Sequence, residues 1–240
     1  MGFGGWRYRR GVVKRMAVAV VLAAALAGCA NAADPPAEAS GGTTTSTARA
    51  STATPSAPAP TSPVPTTQRP TNSVASLAIP AIGVRGLRVV AYTGTADDRP
   101  GTRIQNRGYA ASPRGPRGGV GPGEIGNLII TGHRTSHNRP FGRLPELTNG
   151  DHILITANGY IHDYVVSQTM TISFRKPAEL AQQNASVPGH PGQKPTAAML
   201  TLSTCATPED HAAGNYWHDH LGNPEHRINK IATLTSTRAA

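Results

Sequence analysis

The chain has 240 residues, a formal charge of +10, 26 glycines and 21 prolines, and only 5% aromatic residues. So much glycine and proline favours turns and short strands over long helices, and so few aromatics leave no stacking platform for single-stranded nucleic acid. Five basic residues and no acids fall in residues 1–33, while residues 74–240 carry 16 Lys/Arg against 11 Asp/Glu spread along the segment; no nucleic-acid partner is expected, whereas an acidic lipid or cell-wall polymer suits this charge.

Residues 1–33 read as an export signal or membrane anchor. Trp6 to Arg15 is strongly basic, Met16 to Ala27 is an apolar run of twelve, and Gly28-Cys29-Ala30 follows. A basic start, a short apolar stretch and small residues before a cut make an export signal. Leu26-Ala27-Gly28-Cys29 resembles a bacterial lipobox, which makes Cys29 a candidate for lipid attachment. The alternative is an uncleaved anchor, because Met16 to Ala33 is 18 uncharged residues, the short end of a bilayer span. Either way the rest of the chain is expected at the outer face of the cell membrane. Residues 34–73 are almost entirely Ala, Pro, Ser and Thr, with Val64 the only large aliphatic residue. Such a segment cannot bury enough apolar surface to offset its ordering entropy, and reads as a disordered linker.

Residues 74–240 form the candidate folded domain. Leu77-Ala78-Ile79, Leu87 to Tyr92, Leu128 to Thr131, Asp151 to Ala157, Tyr160 to Gln168, Thr169 to Phe174, Ala198 to Thr204 and Ile228 to Leu234 read as short strands. Asn158-Gly159 marks a hairpin between two of them. Gly108 to Gly123 reads as loop, and Pro177 to Gln183 as one short helix with proline in its first turn. His152 and His162 are expected on exposed strand faces. The fold class is mainly β: a compact barrel or sandwich of seven or eight strands with little helix.

Three strand ends carry chemistry. Met199 to Thr204 is an apolar run that ends at Cys205, the only cysteine outside the signal segment. Alone it is equally well a small buried hydrophobe. Leu128 to Thr131 leads into Gly132-His133-Arg134, with glycine leaving room beside the imidazole. His226-Arg227 opens the final strand. A thiol, an imidazole and a guanidinium at three strand ends are the parts of a nucleophile, a general acid/base and an anion stabiliser.

Thr201-Leu202-Ser203-Thr204-Cys205 resembles the TLxTC signature of sortases, the cysteine transpeptidases of Gram-positive cell surfaces. Thr131-Gly132-His133-Arg134, Pro140-Phe141-Gly142-Arg143-Leu144 and Leu147-Thr148-Asn149-Gly150-Asp151 are similar to the histidine segment of class E members, and Ala78 to Val84 to the family's opening strand. The resemblance implies a closed β-barrel of about eight strands over residues 75–235. It implies Cys205 as nucleophile, His133 as acid/base, Arg227 as oxyanion stabiliser, and Thr204 and Thr131 at the substrate. The partners it implies are surface proteins bearing an LAxTG-like or LPxTG-like sorting signal, cleaved at Thr–Gly, and a cell-wall or protein amine as acceptor. It implies no cofactor and no metal.

The segment from Cys205 to Arg227 is longer than the resemblance leads one to expect. It holds His211, His218, His220 and His226 with Glu209, Asp210, Asp219 and Glu225, but in no firm metal-ligand spacing. Two further functions stay open: a cysteine hydrolase in which water resolves the acyl enzyme, and a wall-associated binding module with an inert barrel. The motif of the L,D-transpeptidases, which also use Cys and His, is absent, since no His-Gly pair precedes Cys205.

Overall fold

Alternating apolar residues close the chain on itself. The structure, a computed structural model, describes residues 74–240; the expected export segment with Cys29 and the expected linker lie outside the described residues. In chain order the elements are β1 (Val74–Ile79), β2 (Val84–Thr93), α1 (Arg99–Gln105), β3 (Ala110–Arg114), β4 (Gly126–Thr131), β5 (His152–Ala157), β6 (Tyr160–Ser173), α2 (Pro177–Asn184), β7 (Ala198–Cys205), α3 (Thr207–Ala212) and β8 (His226–Ala239). The eight strands make a closed barrel in the order β1-β2-β3-β4-β7-β8-β6-β5, with β1 returning to β5. Closure leaves no sheet edge unpaired. The pairs β2/β3 and β4/β7 are parallel, and the other pairs are antiparallel.

Leu77, Ile79, Leu128, Ile130, Ile153, Ile155, Leu200 and Leu202 point into the barrel and form its core. Each such side chain contributes about 1.5–3 kcal/mol by leaving water. Phe141, Leu144 and Leu147, from the segment after β4, pack onto the same core. β4 is buried along its whole length because α1 and α2 cover its outer face: Gln105 of α1 donates to Thr131, and Asn127 donates to the backbone carbonyls of Gln183 and Ala185. The expected hairpin is present, with Asn158 at φ 52 and Gly159 at φ 80. Two positive φ values in the loop make a type I′ turn.

Some expectations change. β3 lies inside the passage read as loop; its residues Ala110-Ala111-Ser112-Pro113-Arg114 carry no β-branched or aromatic side chain to announce a strand. The helix α1 was not legible either. Asp98 caps it by accepting from the Gly101 amide at 2.8 Å, but its seven residues include proline and glycine. The expected runs Tyr160 to Gln168 and Thr169 to Phe174 do continue as one strand, β6, of 14 residues, whose pairing with β8 shifts register between Asp163 and Tyr164 and between Val166 and Gln168. His162 is buried rather than exposed, because the tight turn at Gly123 presses onto its ring and Thr237 reaches its Nδ1.

Candidate active site

The register of three neighbouring strands gathers the thiol, imidazole and guanidinium. β4 and β7 run parallel with Thr131 beside Ser203, and the pairing continues one step further as the Gly132 amide donates to the Ser203 carbonyl. His133 and Cys205 therefore leave adjacent strands at the same end. β8 runs antiparallel to β7 with Arg227 directly opposite Cys205, and directly opposed residues share a face of the sheet. Because Leu200 and Leu202 face the core, alternation turns Cys205 and Arg227 to the outer face.

Arg227 is 1% exposed. Its Nε donates to Oδ2 of Asp97 at 3.2 Å, and its guanidinium lies 4.2 Å from the ring centroid of Phe174. The ion pair and the stacked ring hold the plane of the group, while Nη1 and Nη2 are buried with no protein partner. Two charged donors are thus fixed beside the thiol and left free. Asp97 itself is buried and adopts φ 59. Its Oδ1 accepts from Gln105 Nε2, which also donates to the Thr131 hydroxyl. The chain Arg227–Asp97–Gln105–Thr131 therefore links the guanidinium strand to the histidine strand through α1.

Nε2 of His133 lies 2.7 Å from Oδ1 of Asn106, and its ring stacks on His137 with centroids 4.9 Å apart. An amide oxygen only accepts, so Nε2 carries the proton of the neutral ring and Nδ1 is its basic nitrogen. Arg134 ties this segment to the cysteine strand. Its Nη1 donates to the Cys205 carbonyl at 3.2 Å, its Nε to the Gly142 carbonyl, and both terminal nitrogens to Glu209 of α3. Gly132 is needed here for space: a Cβ on it would sit 2.8 Å from the fully buried ring of Phe141.

Burial pushes the half-buried Cys205 thiol above its ordinary value of 9.0; Arg227 pulls it back and Asp97 adds to the rise. Burial and then the neighbouring His137 push His133 below its ordinary 6.5, with Asp97 opposing them. Near neutral pH these directions leave both the thiol and the imidazole neutral at rest.

Thr131 and Thr204 are both buried, Thr131 beneath α1 and Thr204 against the segment that follows β4. Thr131 is 0% exposed with its hydroxyl accepting from Gln105, and Thr204 is 2% exposed and donates to the Gly132 carbonyl at 2.8 Å. Within the 209–226 segment Asp210 holds His226 through Nδ1 and the amide, and Asp219 accepts from Leu221 and Asn223, while Glu209 and Glu225 bond outside it to Arg134 and to Ser173. Asp97, Phe174, Asn106 and Gln105 were not singled out from the sequence. Asp98-Arg99-Pro100 signals a helix start, but nothing in that stretch shows that Asp97 reaches a residue 130 positions away.

The chain matches the Sortase domain family over residues 77–217, which include His133 and Cys205. Among solved structures, the SrtA sortase from Actinomyces oris is similar at 19% identity and a TM-score of 0.52, covering 70% of this chain and 82% of that one. Sortase E1 from Streptomyces coelicolor with a tripeptide in the active site is similar at 20% identity and a TM-score of 0.51, covering 70% and 91%. Sortase E from Streptomyces avermitilis is similar at 22% identity and a TM-score of 0.50, again over 70% and 91%. These likenesses are of fold. Comparison with curated proteins finds no match. With the family match spanning more than half of the chain, and the barrel carrying its cysteine and histidine at the same end of adjacent parallel strands, this chain belongs to the sortase family of cysteine transpeptidases.

Proposed function

We propose that Cys205, His133 and Arg227 carry out the transpeptidation. The observation that carries this reading is the pairing of Cys205 with a buried Arg227 whose Nη1 and Nη2 have no protein partner. Transfer of the Sγ proton to Nδ1 of His133 yields a thiolate and an imidazolium. The thiolate attacks the carbonyl carbon of a Thr–Gly bond, and the developing oxyanion takes the free guanidinium donors. The imidazolium protonates the departing glycine nitrogen as the C–N bond breaks, which leaves a thioacyl enzyme. An incoming amine then gives its proton to the neutral imidazole, attacks the thioester carbon and expels the thiolate. Thr204 ties the cysteine strand to the histidine segment and Thr131 ties β4 to α1, so both act by positioning the strand ends.

The class E resemblance around His133 supports an LAxTG-like signal over LPxTG, and the anchor-like residues 1–33 support work at the outer face of the membrane, with a wall peptide or protein amine as acceptor. The test is intact-mass analysis of the full-length protein with each signal peptide, with and without triglycine. An adduct on Cys205 that converts to an amine-linked product, and that Cys205→Ala and Arg227→Lys fail to form, is the expected result. An adduct cleared only by water would replace transpeptidase by hydrolase. A fully folded enzyme that still turns over as Arg227→Lys would sink the oxyanion assignment, since an ammonium cannot supply the guanidinium's fixed fork.

A further inference from the structure

The basic surplus of the domain is not spread along it. Residues 84–143 carry ten arginines against three acids, Asp97, Asp98 and Glu124, whereas residues 144–240 carry six basic residues against eight acids. The fold gathers part of this excess into a cleft of about 670 Å³ walled by the residues that follow His133. Arg85, Arg134, Arg139 and Arg143 line it together with Gly108 and Pro208, and no carboxylate does. Two of the four arginines have counter-ions outside the lining: Glu209 holds Arg134 and Glu146 holds Arg143. Arg85 and Arg139 are exposed and have no ion-pair or side-chain hydrogen-bond partner among the described residues.

The wall carrying Arg139 is built against the backbone's preference. His137, Asn138 and Arg139 take φ values of 49, 67 and 48 in succession. A left-handed conformation at a non-glycine residue costs about 1–2 kcal/mol, and such strain persists only where the surroundings impose it. Here they do. The Arg139 amide donates to Ser136, its carbonyl accepts from Gly142, and Asn138 packs so closely on Gly108 that a Cβ there would meet its Nδ2 at 2.8 Å. The same turn places His137 on the ring of His133. The cleft is therefore walled by the loop that holds the imidazole and, through Arg134 and Pro208, by the residues that flank Cys205.

We propose that this cleft holds the amine-bearing second substrate, and that this substrate is an acidic peptide whose carboxylate rests on Arg85 and Arg139. The assignment rests on the transpeptidase reading and adds the chemistry of the acceptor. A ligand seated here lies against the loop of the group that must take its amine proton, and the paired guanidiniums of Arg134 and Arg143 frame the two free ones without cancelling them.

The experiment measures acceptor KM for the full-length protein with a fixed donor peptide, comparing Gly-Gly-Glu with Gly-Gly-Gln-amide. Their KM ratio within each protein cancels any difference in acylation. The wild-type ratio is expected to favour the acidic acceptor by about tenfold, as two charge-assisted contacts would give. Arg85→Gln/Arg139→Gln should bring it to near unity, as should about 1 M NaCl, where the Debye length falls to roughly 3 Å. Arg139→Glu should turn the preference toward Gly-Gly-Lys-amide, which a merely structural effect of the loop would not do. Equal KM values for acidic and neutral acceptors in the wild type would overturn the assignment while leaving transpeptidation standing. So would an unchanged ratio in the double variant accompanied by lost preference for phosphatidylglycerol over phosphatidylcholine vesicles, which would make the cleft a lipid contact. Transfer to no amine at all would remove the transpeptidase reading and the acceptor assignment with it.

Discussion

Asp97→Asn probes the contact on which the guanidinium depends. Arg227 is 1% exposed and Asp97 8%, and they meet at 3.2 Å. The amide keeps an oxygen near Nε but removes the charge, so a cation remains buried without its counter-ion. Removing one partner of a buried pair costs about 3–5 kcal/mol, and the retained acceptor places the expected loss near the lower end. For a domain of this size each kcal/mol lowers Tm by about 2–4 °C, so a fall of roughly 6–12 °C is expected by circular dichroism. The thiol responds in the opposite sense to the fold. Burial is the main cause of the rise of the thiol above 9.0 and Asp97 adds to it, so removing the Asp97 charge leaves the pull of Arg227 less opposed. Because the thiolate is the anionic form, a less compensated cation favours it. The rate of iodoacetamide alkylation against pH should have its midpoint above 9.0 in the wild type, and at lower pH in Asp97→Asn. Asp97→Asn/Arg227→Met should regain much of the lost stability if the unpaired charge is its cause. An unchanged Tm together with an unmoved or higher thiol midpoint would refute the reasoning.

Gly132→Ala places a methyl 2.8 Å from the Phe141 ring, which is fully buried. Overpacking of this kind costs about 1–3 kcal/mol; urea unfolding should show the loss, and Phe141→Leu in the same protein should restore part of it. Arg134→Leu removes the donors to the Cys205 and Gly142 carbonyls and to Glu209. Misplacing the histidine segment by about 1 Å can cost 10²-fold, so kcat for thioacyl formation should drop by about 10- to 100-fold while donor KM stays close to wild type. A change in KM alone would place Arg134 in donor binding instead.

The parts of this site that lie next to their own strand were legible, and those that reach it from elsewhere were not. Leu128 to Thr131 and Met199 to Thr204 are continuous apolar runs because both faces of β4 and β7 are covered, and the end of such a run is easily located in a sequence. His133, Cys205 and Arg227 each sit at a strand end. Asp97 and Asn106 flank a helix of seven residues that contains proline and glycine, and their partners are fixed by tertiary placement. Phe174 is one apolar residue among several; only the closure of β6 on β8 brings it beneath Arg227. The charge of the domain misled in a related way. The totals for residues 74–240 conceal that the arginines fall in its first half and the acids in its second. β3 was missed because alanine, serine and proline occupy a strand held by β2 and β4 rather than by its own propensity.

The parallel pairing of β4 with β7 has a consequence for how the protein becomes active. The contact joining the histidine segment to the cysteine strand spans 71 residues, and the one fixing the guanidinium spans 130. No local piece of the chain contains either, and long-range pairings form late because loop closure must precede them. Before the barrel shuts, Cys205 is a thiol without a neighbouring cation and His133 an imidazole without a neighbouring thiol. The three groups therefore come together only with the topology: in a partly folded chain the Cys205 thiol is an ordinary one, and the burial that raises it and the guanidinium that opposes it arrive together as the last sheet edge closes.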